Sequence, residues 1–360
     1  MTAQKQHYKK KTTLETTELK ILVLGKKNLM HWPENVLKAL NKRSNCYAEL
    51  FLYNKHTPLN VLMHIFPKHW RFLWLAKKLK KHILHLNPNI IIIPQAFFIP
   101  QELYNVLENF KNICRVGWQG DFFGENEISK ARHLDWLLCS DTGYLKNTKN
   151  FPCKSVYMPL CINEETFINR SLERSDPPFF AGVANKQRTD FLSACQTKCV
   201  VYGKGWDRKR MKQHEVHNKK IPHTVVREFL ARTRAAINMS WSPNIVNGLN
   251  FRVFENAATG ALILLNEQKD LKLCYHIGKE AVTYKTPSDL DNLLQDITTH
   301  PKHYEKIAKA GYKRTLAEHT FFHRMEEIIN MLITGREPKR NNFIKKKALT
   351  HLRSKHKKTK

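Results

Sequence analysis

The sequence predicts a two-domain α/β protein built on doubly wound parallel sheets. Three observations carry that expectation. Short, fully apolar runs such as LKILVLG at 19–25 and the isoleucines of 90–93 read as strands buried on both faces, as parallel sheets require. They alternate with helical segments, the pattern of βαβ units. A chain of 360 residues also exceeds the size at which one hydrophobic core keeps growing, and 42% hydrophobic content is enough for two.

Taken in order, residues 1–17 form a basic segment (MTAQKQHYKKK at its start) with no repeating apolar face. The first domain spans 18–165. It opens with the strand at 19–25, which Gly25 ends. KHWRFLWLAKKLKKHILHL at 68–86 reads as a basic amphipathic helix. Such a helix can lie on an anionic membrane, but its place just before a buried strand favours a packing helix whose lysine stems snorkel outward. LNPNIIIIPQA at 86–96 reads as helix end, Pro–Asn break and strand, and WLLCS at 136–140 as another strand. The second domain, 166–332, supplies strands near 178–182, 199–203, 234–240, 261–265 and 281–284. A basic tail, 333–360, follows.

Within the second domain, 246–264 (VNGLNFRVFENAATGALIL) is the most informative stretch. A polar loop runs into a short helix bearing Arg252 and Glu255, and Gly260 releases the chain into an apolar strand. Helix N-terminal amides and an arginine attract phosphate, while a carboxylate accepts from hydroxyls. This segment resembles the donor site of GT-B glycosyltransferases, in particular the CgeB-like branch grouped with the group 1 glycosyl transferases. VYMPLCINEETF at 156–167, FFAGVANKQRTDFL at 179–192, VVYGKGW at 200–206 and AGYKRTLAEHTFFHRMEEII at 310–329 resemble further elements of that family in the family's order. The resemblance covers about 155–332. It implies two Rossmann-like domains facing a central cleft, a nucleotide-sugar donor on the second domain, and no metal or other cofactor. In one place the chain departs from the pattern. Many retaining members carry two glutamates eight positions apart; Glu255 matches the second, but Asn247 stands at the first, so only the ribose contact carries over.

Each candidate residue has a plainer reading beside the functional one. Glu255 is expected to bind ribose, or else is an exposed helix carboxylate. Arg252, three residues earlier on the same helix face, contacts donor phosphate or simply pairs with Glu255. Gly248 and Asn250 lie at the helix start, where N–H groups meet anions. Gly182 ends its strand, and Arg188 follows in the first helical turns to counter a diphosphate; the alternative is a tight turn and a surface arginine. Gly203, with Lys204 and Gly205, is a donor-loop candidate or a turn, and Trp241 a base-stacking or core residue. Asp121, in RVGWQGDFFGE, is the candidate catalytic base, expected in a loop at a strand's carboxyl end, where open α/β sheets bind ligands. Asp beside Gly is also a common turn former.

Cys195, Cys199, His214 and His217 mimic a zinc-finger order, but only two residues separate the histidines. His319 and His323 lie four apart on an expected helix, where docking is the plainer role. The eight cysteines are scattered, as in a reduced cytoplasmic protein, and no signal peptide or membrane-spanning run is visible.

The net charge of +30 exceeds what a nucleotide site needs. It draws anionic partners: an anionic or lipid-linked glycan acceptor, acidic lipid at the cytoplasmic membrane face, or, with no motif in support, nucleic acid. A solvated tail aiding solubility is the alternative. The reading favoured is a nucleotide-sugar-dependent glycosyltransferase. Its rivals are a catalytically silent structural or assembly factor, suggested by Asn247, and a nucleic-acid-binding protein.

Overall fold

The computed structural model describes residues 18–28, 30–54, 65–170, 173–174, 177–240 and 243–341. The chain forms two compact units. Unit 1 takes the chain to Met158 and again from Phe321; unit 2 is Pro159–Thr320.

Unit 1 holds a six-stranded parallel sheet of β1 (Leu19–Gly25), β2 (Cys46–Leu52), β3 (Ile90–Pro94), β4 (Cys114–Gln119), β5 (Trp136–Cys139) and β6 (Lys154–Tyr157), in the order β2-β1-β3-β4-β5-β6. Its helices include α1 (Trp32–Leu40), α2 (Lys68–Leu86) and α3 (Gln101–Leu107). Every residue of β3 is buried, as the unbroken run of isoleucine demands. Helix α2 buries Leu75, Ala76, Leu79, Ile83 and Leu86 against that core, so it is a packing helix. It ends where Asn87 takes a left-handed conformation, just before the expected Pro–Asn break.

Unit 2 holds a second parallel sheet of β7 (Phe179–Ala181), β8 (Val200–Tyr202), β9 (Glu215–His217), β10 (Ala235–Asn238), β11 (Leu262–Asn266) and β12 (Val282–Tyr284), in the order β12-β11-β10-β7-β8-β9. Helices α4 (Lys186–Ala194), α5 (His223–Arg232), α6 (Phe251–Ala258), α7 (Pro287–Thr299) and α8 (Pro301–Glu318) complete it. Both sheets are doubly wound, as expected.

The last helix, α9 (Phe321–Thr334), belongs to unit 1 and not to the second domain that 166–332 would enclose. The reason is apolar. Its Met325, Ile328, Ile329 and Leu332 are buried, Phe321 lies edge-on to Trp118 at 6.2 Å, and Glu326 pairs with Arg43 at 2.6 Å. The expected single helix through His319 and His323 is therefore two helices. His319 ends α8, its ring pairing with the Cys274 carbonyl at 2.8 Å, whereas His323 lies on α9.

His214 plays a structural part in unit 2. Its Nδ1 accepts from the Cys199 amide at 3.2 Å, and its Nε2 donates to the Leu192 carbonyl at 2.7 Å. Burial lowers its pKa below the ordinary 6.5, and protonating Nδ1 would remove the acceptor that Cys199 uses. Below pH 6.5 the unfolded chain therefore binds a proton that the folded one refuses, so stability falls as pH drops through and below that value. Urea unfolding of the whole chain between pH 7.5 and 5 should show that loss, and a His214→Gln variant should show a shallower slope.

Candidate functional site

Parallel pairing puts the carboxyl ends of all six unit-2 strands on one edge. The strand order reverses between β7 and β10, so the loops leaving those strands part there and open a crevice. Asn250 caps α6 at this edge, its side-chain oxygen accepting from the Val253 amide at 3.3 Å. Asn238, at the end of β10, and Asn250 exchange two side-chain hydrogen bonds, 2.9 and 3.2 Å. Tyr284 at the end of β12 donates its hydroxyl to the Asn238 carbonyl at 2.7 Å, and Asn266 at the end of β11 accepts from the Ser240 amide at 2.7 Å. Side chains thus sew together the ends of β10, β11, β12 and the start of α6.

Glu255 lies on that helix and is 1% exposed, so the exposed-carboxylate alternative is excluded. Arg252 Nη1 stands 2.6 Å from its Oε2. The approach satisfies charge but not hydrogen-bond direction: Arg252 Nη1 and both Glu255 oxygens lack a hydrogen-bond partner. The intrahelical pair anticipated as an alternative therefore exists. It leaves a buried carboxylate short of donors, a costly state unless something else supplies them. The Ser240 Oγ, two residues past β10, is likewise buried without a partner.

Arg188 is not a surface arginine. Asn185 caps α4 through the Arg188 amide at 2.9 Å, and the guanidinium spans the reversal, donating to the Val183 carbonyl after β7 and the Met239 carbonyl after β10, each at 2.9 Å. Its Nε is buried without a partner, and burial lowers its pKa. Gly182 and Gly203 meet at the same edge. Gly203 has φ +152°, and a Cβ there would overlap the Gly182 carbonyl oxygen. That oxygen accepts from Trp206 Nε1 at 3.0 Å. Gly203 thus allows two backbones to touch. Gly248 is buried in the loop before α6, and Trp241 lies outside the described residues.

In unit 1, Asp121 follows β4 at the carboxyl edge, as its place in the sequence predicts. Gln95 Nε2 donates to its Oδ2 at 2.7 Å, and Gln119 Nε2 donates to its carbonyl at 3.1 Å. Gln95 has φ 58°, a conformation uncommon outside glycine. It directly follows β3, beside the reversal of the unit-1 sheet between β1 and β3. Pattern reasoning passed over Gln95; its backbone strain and its grip on Asp121 have no mark in the sequence.

Among the described residues no cluster of three or more His, Cys, Asp or Glu side chains forms a metal-binding group. His214 is engaged as above, and His217 stacks on Tyr202 with ring centroids 4.1 Å apart.

Residues 180–330 match the family model described as glycosyl transferase-like. No curated protein matches in sequence. Solved structures with this fold include a sucrose-phosphate synthase from Thermosynechococcus elongatus, with TM-score 0.61, 11% identity, and coverage of 88% of this chain and 100% of that one. The Anabaena protein HepE in complex with UDP gives the same four values, and a glycosyltransferase from Rickettsia africae gives 0.63, 8%, 88% and 98%. At such identities the likeness is one of fold, and the fold is GT-B.

Replacing Gly203 by alanine should destabilise unit 2 by about 3 kcal/mol, because overlap with the Gly182 carbonyl forces two strand ends apart. Urea unfolding checks this; an unchanged midpoint would contradict the close approach.

Proposed function

We propose that the protein is a glycosyltransferase that takes its sugar from a nucleotide-activated donor held by unit 2 and passes it to an acceptor hydroxyl. Glu255 carries this reading: a buried carboxylate with both oxygens lacking donors, on a helix capped at the sheet's carboxyl edge. Vicinal ribose hydroxyls supply two donors to such a group. The family match over 180–330 supports it, as does the presence of UDP-glucose in HepE.

In the reaction, the bond from the anomeric carbon to the diphosphate breaks and a bond to the acceptor oxygen forms. The acceptor proton passes to Asp121, which Gln95 orients. Arg252, the unpartnered Nε of Arg188 and the amides at the start of α6 offset the charge that develops on the departing diphosphate. This scheme assigns no step to a metal. The acceptor class that suits a charge of +30 is an anionic or lipid-linked glycan.

An anionic membrane surface is the partner proposed for α2. The helix carries Lys68, Arg71, Lys77, Lys78, Lys80 and Lys81 and no carboxylate. Its outer face exposes Trp70 and Leu84, 65% and 63% accessible. Cations flanking exposed tryptophan and leucine are the arrangement that binds acidic headgroups and seats apolar side chains among them. No helix of the described residues is long and apolar enough to cross a membrane.

Calorimetry against UDP-, GDP-, ADP- and dTDP-sugars should find one saturable donor, and Glu255→Ala should weaken it about tenfold or more through lost charge-assisted hydrogen bonds. Silence across the panel from a folded protein would favour a catalytically silent relative. Asp121→Asn should lower turnover about 10²- to 10⁴-fold with donor affinity retained. Cosedimentation with phosphatidylglycerol vesicles, but not phosphatidylcholine ones, should report membrane attachment. A Trp70→Ala, Lys77→Glu, Lys78→Glu variant should abolish it.

A further inference from the structure

Unit 2 carries a cavity of about 390 Å³, lined in part by Arg174, Arg234, Gly260 and residues of α8. Arg234 immediately precedes β10, and Gly260 lies two residues before β11. Both therefore mark the amino-terminal edge of the sheet. The donor candidates lie at the carboxyl edge, and from Arg234 to Met239 the extended chain runs about 16 Å at ~3.3 Å per residue. The two sites are on opposite edges.

We propose that this basal cavity is a binding site for a phosphorylated sugar, recognised by four cations and a hydroxyl-accepting carboxylate. Among the described residues, Arg174, Arg234, Lys309 and Lys313 line it against one acidic side chain, Glu305. The described residues give Arg234, Lys309, Lys313 and Glu305 no ion-pair partner. Lys309 and Lys313 are four apart on α8, so they share one helical face, an arrangement of like charges that destabilises an empty helix and that an anion relieves.

The two arginines are held in place by backbone. Arg174 Nη1 donates to the Leu230 and Thr233 carbonyls at 2.7 and 2.9 Å, and its Nη2 donates to the Thr259 carbonyl. Arg234 Nε donates to the Arg174 carbonyl at 2.5 Å. The plain role of Arg174 is to cap the ends of α5 and α6. Yet burial pushes its pKa down to about 10 with only carbonyl partners in view, and a guanidinium desolvated without a carboxylate favours an anion nearby. Gly260, at φ +76°, lets the Asn169 and Arg174 side chains close directly against its backbone. A Cβ there would stand 2.6 Å from Asn169 Nδ2 and 2.9 Å from Arg174 Nη2.

The rest of the lining narrows the ligand class. Ile297, Ala308 and Tyr304 provide an apolar side. Tyr304 commits its hydroxyl to Asp296 at 2.5 Å, so its ring is what it offers. Glu305 accepts from hydroxyls, which an inorganic anion lacks. The volume falls within the ~300–1,000 Å³ of small-molecule sites, ample for a monosaccharide phosphate. Such a ligand meets cations with its phosphate, Glu305 with its hydroxyls and the apolar side with its ring faces.

The test is calorimetry of the full chain with glucose 6-phosphate, fructose 6-phosphate, inorganic phosphate and glucose as probes. At least one sugar phosphate should bind saturably, inorganic phosphate about tenfold more weakly, and glucose not at all. A Lys309→Glu, Lys313→Glu variant should lose the binding; both side chains are exposed, so the fold should hold. Lys302→Glu, Lys306→Glu on the same helix should keep it, as should Glu255→Ala, which separates this site from the donor site. Absence of saturation at 10 mM, on the order of the weakest specific sites, would overturn the proposal. So would equal loss in the control variant, or phosphate binding as tightly as its esters.

Discussion

The arrangement of unit 2 depends on the reversal between β7 and β10. Three strands are laid down outward from β7 to β9, and the chain then returns to pair β10 against the other side of β7. Because every pairing is parallel, loops from the two halves leave the same edge in opposite directions and cannot cover the gap between them. Arg188 is the group that bridges it, bonded to a carbonyl on each side. The asparagines 238, 250 and 266 then bind the neighbouring strand ends to α6. A crevice held by side-chain-to-backbone bonds keeps its shape before any ligand arrives, which is the condition for binding without reordering.

Glu255 follows from that rigidity. A buried carboxylate costs several kcal/mol unless charge and hydrogen bonds are both supplied. Arg252 at 2.6 Å supplies the first, while both oxygens lack the second. In a loop such a group would turn toward water. On a helix pinned at Asn250 and packed through Val253, Phe254, Ala257 and Ala258, it is held where it is. The deficit thus measures how strongly the surrounding packing fixes the carboxylate, and it defines a place where two donors are missing.

Much of this was legible in the sequence, for a physical reason. Strands buried on both faces must be apolar throughout, so IIIIP and LKILVLG announce themselves, and the expected strands of unit 2 fall within about two residues of those found. The mixed strand β2, CYAELFL, lies at the sheet's edge with most residues half-exposed; its pattern carries no such signal, and it was missed. Glu255 and Arg252 were legible because four sequence elements framed them. Arg188 and Gly203 stand out in the sequence, but their contacts do not: what an arginine donates to, or which backbone a glycine touches, is set by chain segments dozens of residues away. The basal cavity was invisible for the same reason, since Arg174, Arg234, Gly260 and α8 meet only in the folded unit.

Unit 1 shows the same logic with different means. Its sheet reverses between β1 and β3, and two of the non-glycine residues with positive φ, His31 and Gln95, lie in the segments that follow those two strands. A left-handed conformation costs a non-glycine residue roughly 1–2 kcal/mol. Gln95 returns something for that strain: its side chain reaches Asp121 at 2.7 Å, while its own amide donates to the Trp118 carbonyl at 2.7 Å. Strain kept at the carboxyl edge, with an amide aimed at a carboxylate, is the observation behind the proposed role of Asp121. The Gln95 side chain, directly after β3, thus holds the Asp121 carboxylate while its backbone stays tied to β4.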